Sequence, residues 1–192
     1  IAGKSLQLAS GPYYMEFYRL ETKEGDKEAR KMSYIMQAGL LILAFLISLW
    51  MKELFIFIAR NEDLTSSYTI AIPIVMAYSY FPSYFYTGMK IWYTEKTKIL
   101  MKISVVAAVI SIALNLILIP RFGIMGAAAT TFASFMFMGF GGYLYPSITK
   151  EFKVKYYAGA WLFIILIATL AAVLLKDSPI SFKLLISCAI GS

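Results

Sequence analysis

At 192 residues, 60% of them hydrophobic and only 15% charged, with a mean hydropathy of +0.70, this chain is more apolar than soluble globular domains and carries its apolar residues in blocks. That excludes a soluble domain and points to an all-α fold, a polytopic integral membrane helical bundle in which each span satisfies its own backbone hydrogen bonds. The net charge of +7 does not indicate nucleic acid, because the cations fall between the apolar blocks, where membrane lipids with anionic headgroups supply the counter-charge. Histidine is absent and Cys188 stands alone, so imidazole chemistry and an internal disulfide are excluded, and nothing calls for a cofactor or a metal.

In chain order, residues 1–20 read as the end of one helix, residues 18–31 as a polar connection and residues 32–51 as a span. The connection mixes five basic with four acidic residues, a balance that reads as a solvated loop without a binding role. Residues 52–60 are short and amphipathic and are expected to lie at the membrane interface. Residues 64–89 span again and carry Pro73 and Pro82, each of which removes a backbone hydrogen bond and predicts a kink or a break. Such a break fits either a cavity-lining helix or ordinary packing against neighbours. Tyrosines near span ends predict an interfacial belt, with those mid-span facing a polar lumen or simply packing.

Residues 99–119 and 124–145 predict a helical hairpin around the cation Arg121. Pro120 is expected to end the first leg, Gly123 to permit the turn, and Gly126 with its alanines to allow close helix approach. Asn115 could face a cavity or hydrogen-bond between helices. Residues 156–175 span once more and Phe182 opens a last apolar helix, giving about six spans. The chain opens on Ile1 and stops within an apolar segment, which reads as a fragment cut at both ends.

The run Asn115-Leu116-Ile117-Leu118-Ile119-Pro120-Arg121-Phe122-Gly123-Ile124-Met125-Gly126-Ala127-Ala128-Ala129-Thr130-Thr131 resembles the hairpin signature of polysaccharide flippases in the multidrug/oligosaccharidyl-lipid/polysaccharide exporter superfamily. Thr130 stands where that family usually has alanine. The polar turn Tyr93-Thr94-Glu95-Lys96-Thr97-Lys98 and the run Gly11-Pro12-Tyr13-Tyr14 are similar to family features in the same order. The resemblance implies that residues 1–192 are the C-terminal transmembrane lobe of a two-lobe exporter, facing an N-terminal half of the same protein. It also implies transport of a lipid-linked oligosaccharide across the cell membrane by alternating access. It implies no enzyme activity.

A sugar diphosphate crossing hydrocarbon needs an intramembrane cation. Lys4 is the candidate, about 22 Å along its helix from Arg19; the competing reading is a lysine that snorkels to the interface. Lys90 and Lys102, in a basic cluster with Lys96 and Lys98, are candidates to meet the incoming diphosphate, although most of that cluster reads as topogenic. Glu16 is the coupling candidate, set against a local pair with Arg19 at i+3.

Twelve basic residues fall in residues 19–31, 90–102 and 150–155, against five (Lys52, Arg60, Arg121, Lys176 and Lys183) in the alternate connections. The positive-inside rule places the first group in the cytoplasm. Two other functions remain open. A drug or cation antiporter of the same superfamily would need embedded carboxylates, of which Glu16 alone offers itself, and a membrane polymerase or glycosyltransferase would need acid, base or metal-binding groups at a span end.

Overall fold

The computed structural model describes residues 2–58 and 67–191, with side chains from Leu8 to Ile58 and from Ser67 to Ile190. Every regular element among them is helical. Helix α1 (Ala2–Arg19) turns at Glu21, whose φ is +49°, into α2 (Lys23–Leu49). The Thr22 side chain accepts the Gly25 N–H at 3.1 Å, and Glu24 and Asp26 sit in the first turn where the helix dipole favours them. The expected solvated loop over residues 18–31 is therefore mostly helix, because its polar residues supply a cap and a first turn.

Helix α3 (Met51–Ile58) follows after Trp50, and Arg60 lies outside the described residues. The next apolar segment is broken ahead of Pro82, as expected, while Pro73 lies within continuous helix. Helix α4 (Tyr68–Ala77) gives way to one 3-10 turn, Tyr78–Tyr80, and then to α5 (Phe81–Tyr93). Pro82 has no N–H for the Tyr78 carbonyl, and the Phe81 N–H bonds that carbonyl instead, tightening the turn.

Helix α6 (Lys98–Phe140) is two legs meeting at Gly123, where φ is +57° and ψ is −139°. A Cβ on Gly126 would lie 2.6 Å from the Leu118 carbonyl oxygen, and one on Gly141 would lie 3.0 Å from the Ile103 side chain. Both pairs are centred on residue 122, so the legs run antiparallel in one register. Pro120 does not end the first leg; helical geometry continues past it, and the reversal falls on Gly123, since a glycine reaches positive φ without a Cβ clash. A 3-10 turn (Gly141–Leu144) and the short α7 (Pro146–Thr149) lead to α8 (Ala158–Leu175) and α9 (Ile180–Gly191).

Helix α2 and the broken pair α4–α5 form the centre, with α1, α6 and α8 packed around them. Among the described residues, 23–49, 98–144 and 158–175 are the three stretches of helix long and apolar enough to cross a membrane. On α2 several polar residues turn inward while large apolar ones turn outward. The buried face of α2 comprises Asp26, Ala29, Ser33, Gln37, Leu41, Ala44 and Ser48, while Ile35, Ile42, Leu43 and Ile47 point outward. Leu116, at 73% exposure, and Leu174, at 72%, continue that apolar exterior on α6 and α8.

Candidate functional site

At one end of the bundle, four chain segments converge on a buried ion pair. The Lys90 ammonium on α5 donates to Asp26 Oδ1 on α2 at 2.9 Å, with side chains 8% and 3% exposed. Asp26 Oδ2 accepts the Lys153 backbone N–H at 2.5 Å, so both carboxylate oxygens are engaged. Tyr18 of α1 and Phe152 turn their rings toward the ammonium, with centroids at 4.4 and 5.5 Å. The Tyr18 hydroxyl donates to the Tyr86 carbonyl at 3.1 Å and ties α1 to α5.

Beside the pair lies a polar core. The Gln37 amide donates to the Ser79 carbonyl in the 3-10 break, and its oxygen accepts the Ser83 hydroxyl at 2.9 Å. The Tyr156 hydroxyl lies 3.3 Å from both Ser33 and Ser83. Above them Phe152, Tyr86, Tyr156 and Tyr143 form a continuous stack, with successive centroids 4.7, 4.7 and 5.0 Å apart. A pocket of about 490 Å³ opens next to this stack, walled by Tyr143, Phe152, Tyr156 and Tyr157.

The opposite end carries a second network. Lys183 on α9 is fully buried and donates to both Glu53 oxygens at 2.8 and 2.9 Å and to the Lys176 carbonyl at 2.7 Å. Asp177 accepts from the Tyr68 hydroxyl at 2.6 Å and from Lys52 at 3.1 Å. The Tyr68 hydrogen bond first, and Lys52 second, hold the Asp177 carboxyl below the usual carboxylate range.

The residues singled out in the sequence are not brought together. The Lys4 side chain lies outside the described residues. Lys90 is sealed in the ion pair instead of lying open at a mouth, since Asp26, set one turn into α2, reaches it. Lys102 and Glu16 are exposed, and no ion pair joins Glu16 to Arg19 among the described residues. Asn115 is half-buried, and its Oδ1 accepts no hydrogen bond among the described residues, so the expected interhelical bond through that atom is not made. Tyr86 and Tyr156 belong to the buried stack, not to an interfacial belt.

Sequence reading missed Asp26, Gln37, Ser83 and Lys183. For the first two a signal existed: Asp26, Ser33, Gln37 and Ser48 recur at intervals of seven, four and eleven, one helical face of an otherwise apolar segment. Lys183 counted as a connection cation, yet it sits inside α9. No group of three or more metal-binding side chains occurs among the described residues. No family model, no curated protein and no solved structure matches the chain.

Proposed function

We propose that this chain is one lobe of a polytopic membrane exporter that carries a polyprenyl-diphosphate oligosaccharide out of the cell by alternating access, facing a second lobe of the same protein. The observation that carries the reading is the α6 hairpin. The run that resembles the flippase signature folds as two antiparallel legs, with Gly123 taking the positive φ of the reversal and Gly126 packed against the Leu118 backbone. The membrane setting is supported by the inverted polarity of α2 and by the three long apolar helices. The broken α4–α5 segment, with its freed carbonyls satisfied by Gln37 and by a 3-10 bond, is the form irregular backbone takes when buried inside protein at membrane depth.

In this reading Lys4 on α1 attracts the diphosphate and Lys102 lies at the entrance, while Lys90 is held in reserve by Asp26. The test is genetic and chemical. In cells whose full-length gene is deleted, lipid-linked oligosaccharide accumulates on the cytoplasmic leaflet and surface polysaccharide is lost; the wild-type gene restores export, and Lys4→Ala at normal abundance does not. Unchanged export in the deletion strain sinks the function. Unchanged export with Lys4→Ala removes Lys4 alone.

A further inference from the structure

Residues 150–157 cross one end of the bundle without regular structure between α7 and α8. They are held by polar bonds to α2: Lys153 N–H to Asp26, the Lys155 carbonyl from Arg30 at 2.9 Å, and Tyr156 to Ser33. The rings they insert, Phe152 and Tyr156, sit on either face of Tyr86 and cover Ser33, Gln37 and Ser83, which are all fully buried. The packed state is incompletely satisfied, because Tyr86 is fully buried and its hydroxyl has no hydrogen-bond partner among the described residues. Water entering under the segment would supply one.

We propose that residues 150–157 are a plug that leaves this end of the polar core, and that the Asp26–Lys90 pair is its release. A buried ion pair is a poor choice for permanent closure, since desolvating both charges offsets their attraction and an apolar pair of similar volume holds as well or better. It suits a closure with two states. Rehydration frees both charges at once, and Asp26 then gives up the Lys153 N–H that seats the plug. From other elements the rings of Tyr18 and Phe152 face the Lys90 ammonium, while the neighbouring cations are engaged elsewhere, Lys153 with the Glu21 carbonyl and Arg30 with the Lys155 carbonyl. The inference stands whether or not the cargo is a lipid-linked sugar.

The test reads accessibility, not transport. In the full chain with Cys188→Ser, a Ser83→Cys reporter beneath the plug is treated with an impermeant methanethiosulfonate reagent in detergent micelles. Asp26→Asn and Lys90→Gln should each speed modification about tenfold or more, because each leaves a buried partner unpaired. Asp26→Leu with Lys90→Met should leave it at or below the starting rate, the plug being locked by an apolar contact. Limited trypsin digestion is the second reading: Asp26→Asn should open cleavage at Lys150, Lys153 and Lys155 while Lys23 and Lys27 keep their rates. Unchanged accessibility in both single variants, an equal rise in the double variant, or cleavage spread over the whole chain overturns the proposal.

Discussion

Charged residues in this chain mean different things according to which helix face carries them. Lys27 and Glu24 pair at 3.2 Å on the surface of α2, where such a contact contributes little, while Asp26 between them in sequence is buried against Lys90. Composition could not separate these cases: the count over residues 19–31 treats all nine charges alike, and only the 100° step per residue puts Asp26 on the inward face. The glycines were easier to read. Gly126→Ala places a methyl 2.6 Å from the Leu118 oxygen and should destabilise the hairpin by about 1–3 kcal/mol, measured as a lowered thermal midpoint in micelles. Gly123→Ala meets open space, so its expected loss of about 1–3 kcal/mol comes from backbone conformation alone, φ +57° with ψ −139°. On the opposite face of the molecule, Tyr68→Phe removes the first cause of the lowered Asp177 pKa, and the carboxyl should move up toward its ordinary range in a ¹³C-detected titration. A depressed carboxylate adds stability above its unfolded pKa and loses it as pH falls through the folded value, so Tyr68→Phe should weaken the acid dependence of the α4–α8 junction.

At the scale of elements, the features set by local chemistry were legible and those set by long-range partners were not. Pro82 foretold a broken helix because a missing N–H is a local fact, and the structure puts the break at Tyr78–Tyr80, while the helix runs uninterrupted through Pro73. What makes the break tolerable is Gln37, forty-two residues away, and no spacing rule connects it to Ser79. Pro120 shows the limit of a local rule: it cannot bond the Leu116 carbonyl, yet the chain stays helical until glycine permits the reversal. The role of Gln37 makes a sharp prediction. Gln37→Leu fits an apolar environment but leaves the Ser79 carbonyl and the Ser83 hydroxyl without this partner, and it should cost about 1–3 kcal/mol. Gln37→Glu, which keeps the Ser83 bond alone, should fall short of wild type as well; equal thermal midpoints for Gln37→Leu and wild type would show that the break holds without it.

For the whole molecule, most of the residues divided by basic-residue count fall into two separately bonded groups; Arg60 lies outside the described residues. Residues 19–31, 90–102 and 150–155 are tied to one another through Asp26–Lys153, Arg30–Lys155 and Tyr93–Glu21, while Lys52, Lys176 and Lys183 bond at the other end through Asp177, Thr69 and Glu53. Among the described residues none of these hydrogen bonds or ion pairs joins the two groups, and a leg running from Lys98 to Phe122 is about 37 Å long, enough to separate them by a bilayer's hydrocarbon thickness. The sequence carried this partition because charge between apolar blocks is a one-dimensional signal; it could not carry which loops touch. The partition predicts sidedness. Single cysteines replacing Lys27 and Arg121 in a Cys188→Ser background should react with an impermeant thiol reagent from opposite sides of intact cells or inverted vesicles, Arg121→Cys from outside and Lys27→Cys from the cytoplasm. A third position, Lys153→Cys, should follow Lys27, since both lie at the Asp26 end. Labelling of Lys27→Cys and Arg121→Cys from one side would overturn the transmembrane arrangement, whereas opposite sides with Arg121 inward would keep the spans and reverse the orientation.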